Sequence, residues 1–119
     1  MQKINLADKL SQFQDHWHPR ILAELNGQHV KIAKLKGPFV WHQHDAEDEL
    51  FLVLRGTLHM EFRDKTVVLT EGECIVVPRG VEHRPVAVEE VSVLLFEPAG
   101  TLNTGDATSE LRRDELEWI

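Results

Sequence analysis

The sequence predicts an all-β fold, a sandwich or barrel of short strands led by one helix. Three observations predict it. Runs rich in β-branched and apolar residues recur between turn signals about every 8–12 residues. Asn26-Gly27 separates two of these runs and is the strongest two-residue hairpin signal a sequence offers. A single segment, at the N-terminus, carries apolar residues at helical spacing.

Taken in order, Asn5 is an N-cap with Asp8 three residues on, near the positive end of a helix. Leu6, Leu10, Phe13 and Trp17 then share one helical face, which predicts an amphipathic helix over 6–17 lying across the outside of a sheet. Pro19 stops it, so 1–19 forms an N-terminal helical segment. Strands follow at 20–25 and 28–35, and Gly37-Pro38 turns the chain into a strand carrying His42 and His44. Strands 50–56 and 57–62 meet at Gly56. Arg63-Asp64-Lys65 turns into 66–70, and Glu71-Gly72-Glu73 into 74–77. After Pro78-Arg79-Gly80 come strands at 82–88 and 91–97, which closes a barrel over 20–97. Residues 98–119 are small and polar, then end on Leu111, Leu116, Trp118 and Ile119; this tail wraps either the barrel or a neighbouring subunit.

The 119 residues make one domain, 1–119, with room for a single core. An apolar share of 42% and a charged share of 28% are those of an ordinary globular protein. No apolar run reaches the length of a membrane span, and the first residues lack the order of a signal peptide, so the expected location is cytoplasmic, with no membrane partner. A formal charge of −7 opposes a phosphodiester backbone, which argues against nucleic acid. The lone Cys74 excludes an internal disulfide and any cysteine-rich zinc module, and is expected to be a small buried residue.

The chemistry sits in WHQHDAEDELFLVLRG, residues 41–56. In an extended strand the rings of His42 and His44 project from one face. Glu49 opens an apolar strand, where an unpaired carboxylate is costly and a metal would remove the cost. His83 follows Pro78-Arg79-Gly80 in a turn that can bring it to the same cavity. Three imidazoles and a carboxylate suit a divalent transition metal. The competing reading makes Glu49 and His83 rim residues, solvated or paired with each other. His16 and His18 repeat the spacing at the helix end with no carboxylate strand after them, and read as surface residues.

The run from Gly37 to Gly56 resembles the first motif of the cupin superfamily, with His42, His44, Glu49 and Gly56 matching in type and spacing and Gly37 one residue closer than usual. Gly72, Pro78, Gly80 and His83 match the second motif, whose terminal asparagine is Ala87 here. The 15 residues between the motifs, 57–71, are the short spacing of compact bacterial cupins. The resemblance implies a cupin jelly-roll β-barrel with a short N-terminal α-helix. It implies one divalent metal (Fe, Mn, Ni, Cu or Zn) on His42, His44, Glu49 and His83, a small-molecule ligand, and a homodimer.

Alternation from Glu49 puts Phe51 and Val53 on the cavity wall, while Leu58, Met60 and Phe62 fill the barrel and His59 faces solvent. Phe51, Met60 and Arg79 are the pocket candidates; Arg79 either meets an anion at the cavity mouth or is an ordinary surface arginine. No second interior carboxylate or histidine is evident, which favours chemistry led by the metal. Three functions remain open. One is a metal-dependent enzyme of dioxygenase, isomerase or lyase type acting on an oxygenated or anionic metabolite. The second is a non-catalytic metabolite sensor, and the third a barrel pinned by its metal.

Overall fold

The computed structural model describes residues 1–119. It contains one helix and seven strands: α1 (Leu6–Leu10), β1 (Arg20–Leu25), β2 (Gln28–Pro38), β3 (Glu49–Arg55), β4 (Leu58–Phe62), β5 (Thr66–Leu69), β6 (Cys74–Val77) and β7 (His83–Pro98). All the pairings are antiparallel, in the order β1-β2-β7-β3-β6, with β4 joined to β5 and to β7. The expected hairpin is present. Asn26 and Gly27 take φ values of 50° and 76°, and Leu25 pairs with Gln28 across them.

β7 holds the barrel together. Its first residues pair with β4, Phe62 opposite His83; its later ones lie between β2 and β3, with Lys31 and Phe51 both opposite Leu95. The two strands expected at 82–88 and 91–97 are therefore one strand. The polar break expected between them, Glu89-Glu90, lies in an exposed bend, Val88–Glu90, where the pairing with β2 slips between Leu35–Val91 and Gly37–Ala87. The end of β3 presses on this bend. Gly56 has φ +88°, and a Cβ there would lie 2.9 Å from the Glu90 carbonyl.

Two apolar clusters result. The larger fills the barrel with Phe51, Val53, Leu58, Met60, Val93 and Leu95 among others; the half-buried Phe62 packs at its margin. The smaller joins Leu10, Phe13, Leu22 and Ile32 on the outer face, backed by Leu54, Leu94 and Ile119. The helix predicted over 6–17 thus stops at Leu10, although Asn5 does cap it, accepting from the Asp8 amide at 3.0 Å. The reason is that its apolar residues serve different clusters. Leu10 and Phe13 cover the outer face, whereas Trp17 (φ 58°) turns into the barrel and stacks on Phe39 at 4.6 Å. No straight helix reaches both. Amide and ring hydrogen bonds from Trp17 to the carbonyls of Lys34 and Lys36 hold that turn.

The tail folds back on its own barrel. Ile119 donates to the Ile21 carbonyl at 3.0 Å and Ile21 to that of Glu117 at 2.8 Å, while the Lys9 ammonium bonds the terminal residue. Cys74, expected to be buried, is exposed on the outward phase of β6. His59 is half-buried rather than solvated, with an unpaired, buried Nδ1. His16 and His18 are partly covered and bonded to Glu90 and Asp15.

Gly56→Ala is expected to lower stability by about 2 kcal/mol, from the positive φ and the clash with the β7 bend. The check is a urea midpoint that falls with an unchanged slope.

Candidate metal centre

His42, His44, Glu49 and His83 are all buried, and one donor atom from each falls within a group whose members lie no more than 4.8 Å apart. Each arrives from a different constraint. Glu49 is the first residue of β3, paired with Val77 of β6. His83 is the first residue of β7. His42 and His44 are not on a regular strand as expected; a single two-way backbone bridge, His42 to His83, anchors their segment. The Gly80 amide donates to the His44 carbonyl at 2.8 Å and ties the Pro-Arg-Gly turn to the same segment. The alternation expected of a strand still holds, since both rings point inward and Gln43 between them does not.

From outside, the tail braces this segment. Asp106 accepts from the Gln43 amide at 2.9 Å and its own amide donates to the Gln43 carbonyl at 3.0 Å. Gly105 packs so tightly here that a Cβ would collide with the Gln43 carbonyl and crowd the His42 ring.

The ring orientations are set by the backbone. The Nδ1 atoms of His42 and His83 lie 2.9 Å from the carbonyl oxygens of Val40 and Val81. A carbonyl only accepts, so each Nδ1 carries the hydrogen and each Nε2 keeps its lone pair, the state a metal ligand needs. The Nε2 atoms of His44 and His83 and the Oε1 of Glu49 are buried with no hydrogen-bond partner. Oε1 lies 3.4 Å from the first and 3.6 Å from the second, too far for a sound hydrogen bond. Adjacent donors about 2.1 Å from one shared ion stand about 3 to 3.4 Å apart, so the first spacing fits a cation between them and the second is slightly wider.

The protonation of the group follows its surroundings. Burial, aided by His83, pushes His42 down to about 4. Burial also works against the charged form of His44, but the adjacent Glu49 overrides it and raises His44. Glu49 feels burial upward, yet its neighbours Glu97, His44 and His83 hold it well below the usual carboxylate range.

Glu97 is the residue that sequence reasoning missed. The β3–β7 register runs through Leu50–Phe96, so the next step sets Glu49 beside Glu97. Its Oε1 accepts from Lys31 Nζ at 2.7 Å, and both side chains are 2% exposed. Its Oε2 has no donor. Burial first, then the charge of Glu49, raises Glu97 well above the ordinary carboxylate value. A second interior carboxylate therefore exists, contrary to expectation. Its signal was the inward phase of Val93, Leu95 and Glu97, matched by Lys31, Ala33 and Leu35 on β2.

A cavity with about 40 Å³ of free volume is lined by His42, Glu49, Phe51, Lys31 and Glu97, with Asn103 and Leu116 of the tail. Of the pocket candidates only Phe51 lies on it. Met60 is fully buried in the core, and Arg79 is exposed and held by Asp48 through its amide at 2.9 Å and its Nε at 3.2 Å.

The cupin-domain family model matches residues 28–97, a span that includes every one of these residues except those of the tail. The chain belongs to the cupin family. Among solved cupin structures it is similar to a cupin-2 domain containing protein from Shewanella frigidimarina NCIMB 400, at 48% identity and TM-score 0.79 over 80% of this chain and 93% of that one. A Neisseria meningitidis protein matches at 31% identity and TM-score 0.76, over 82% and 100%. KdgF from Halomonas sp. matches at 26% identity and TM-score 0.59, over 67% and 78%. The cupin is also 41% identical over 64 residues to the uncharacterised protein YdbB of Bacillus subtilis (strain 168), 53% of this chain and 57% of that protein, so it spans little more than half the length of that relative. No helix of this cupin is long and apolar enough to cross a membrane.

In metal-free protein the His42 ring is expected to titrate near pH 4 and His44 above 6.5, followed by NMR of the ring resonances. As pH falls, the unfolded chain protonates His42 first, so this residue withdraws stability between 6.5 and about 4, about 3 kcal/mol over the window. His44 acts oppositely: its raised value gives stability that is present at low pH and lost as pH rises through it.

Proposed function

We propose that His42, His44, Glu49 and His83 hold one divalent transition metal (Fe, Mn, Ni, Cu or Zn) and that the protein is a metal-dependent enzyme for a small oxygenated or anionic metabolite. The reaction is of dioxygenase, isomerase or lyase type. What carries this reading is the convergence of three orphaned buried donors, His44 Nε2, His83 Nε2 and Glu49 Oε1, on one point. Solvated or mutually paired rim residues would not leave all three without partners.

His42, His44, Glu49 and His83 would hold the metal, which would polarise substrate oxygens or activate dioxygen. The chain's own residues do the rest. The carbonyls of Val40 and Val81 keep two imidazoles in the ligating tautomer. Phe51 and the apolar wall exclude water, which strengthens every charge contact inside. Glu97, beside Glu49 on the cavity wall, offers a proton donor or acceptor near the ligand. Isomerase and lyase chemistry need such a group, so this residue keeps those classes alongside the dioxygenase one.

Elemental analysis of protein purified without added metal should find about one transition-metal ion per chain. Glu49→Ala and His83→Ala should each weaken retention by at least about tenfold, since loss of an outer-sphere partner alone costs that much. Unchanged metal content in both variants would rule out the ligand set.

A further inference from the structure

Two of the four donors, His42 and Glu49, line one end of the cavity, and the metal reading gives its cationic wall no role. That wall is Lys31, buried on β2, with its ammonium 2.7 Å from Glu97 and its remaining N–H donors without partners. We infer that Lys31 is the anion anchor of this cavity and selects a short-chain monocarboxylate carrying a second oxygen on its neighbouring carbon. The inference rests on the metal reading above and goes beyond it by assigning the charge of the ligand and the residue that reads it.

Charge comes first. Ligating imidazoles are neutral, so a divalent ion with Glu49 as its one anionic donor leaves a single positive charge. Lys31 adds another. Glu97 offsets one of these when ionised and none when protonated. The enclosed charge is positive either way, and without Lys31 an ionised Glu97 would bring it to zero. An uncompensated charge in a low-dielectric interior is costly, so the favoured occupant is an anion.

Size and shape come next. The free volume of about 40 Å³ admits only a small occupant. His42 and Glu49 of the donor cluster line the same cavity as Lys31, so one small occupant can face both. Ala33, Leu35, Val93 and Leu95 make the intervening wall apolar. A short carboxylate with a 2-hydroxy or 2-oxo group satisfies all of this. Its paired oxygens can chelate, its carboxylate meets the ammonium, and its alkyl end lies on the wall.

The test uses the full chain loaded with Co(II), titrated calorimetrically with lactate and with its neutral isostere lactamide, while the visible spectrum reports coordination. Wild type should prefer lactate by at least about tenfold, the scale of a buried charged hydrogen bond. Lys31→Met should lose that preference with cobalt content and spectrum unchanged, and Lys31→Arg should restore part of it. Lys31→Met leaves Glu97 buried alone, so Lys31→Met/Glu97→Gln is measured beside it as a variant that folds without the pair. A pair that only braces the barrel would lower the melting temperature in these variants and leave the lactate preference in place. That result overturns the inference, as does a loaded wild type indifferent to ligand charge. A wild type that takes up no cobalt overturns the metal reading as well.

Discussion

Glu49 sets the terms for everything around it. Its side chain is 4% exposed, and one of its oxygens faces two imidazole nitrogens with no hydrogen between close enough to bond. Burying a carboxylate costs several kcal/mol even after the protein relaxes. Three imidazoles at these spacings offset that only in part, while a divalent cation among the four donors would supply the missing positive charge. The surrounding scaffold is what keeps the four donors from relaxing apart. β3 is held on both sides, by β6 and β7, so Glu49 cannot swing out without breaking two ladders.

The histidine segment 39–44 has no ladder of its own, so its position is borrowed. The His42–His83 bridge ties it to the start of β7, the Gly80 amide ties it to the preceding turn, and Asp106 ties it to the tail. These anchors come from parts of the chain far apart in sequence, and β7 links them because it pairs with β2, β3 and β4 in turn. A single strand bent at Val88–Glu90 does what two separate strands could not: it holds His83 and Glu97 on one continuous inward phase. The tail has the same logic. Its last residues clamp the edge strand β1 while Asn103 and Leu116 reach the cavity.

Most strand boundaries were legible because they depend on local signals, turn residues and alternation, that the tertiary structure leaves intact. The donor set was legible for a related reason: it follows a motif whose spacings track the strand and turn lengths that bring the donors together. Longer-range effects were not. The spacing of Leu10, Phe13 and Trp17 suits a helix, but the residues belong to two clusters on opposite faces of a sheet, and sequence spacing carries no information about which. Glu89-Glu90 looks like a break between strands because bends and turns expose the same polar residues. Cys74 was misplaced because CIVV is apolar at all four positions, and only the pairing with β3 fixes which phase faces inward. Glu97 went unseen because a charge near a strand end reads as a rim residue, although its phase with Val93 and Leu95 pointed inward.

That phase also explains why Lys31 and Glu97 belong to the site and not to the scaffold. Lys31, Glu97 and Glu49 form a slanting row over β2, β7 and β3, Glu97 beside Glu49 and diagonal to Lys31, whose own cross-strand neighbour is Leu95, and the inward positions around them are Ala33, Leu95 and Phe51. A buried ion pair is a poor source of stability, since well-packed apolar residues of similar volume often serve as well or better. The barrel core already consists of such residues and would accept two more. A second carboxylate beside Glu49 makes matters worse for the fold, because each raises the cost of ionising the other. Stability therefore does not account for the row. The proposed function does account for it: in a cavity that holds a cation, a proton and an anion within a few ångströms, each of the three groups faces a partner of the opposite kind.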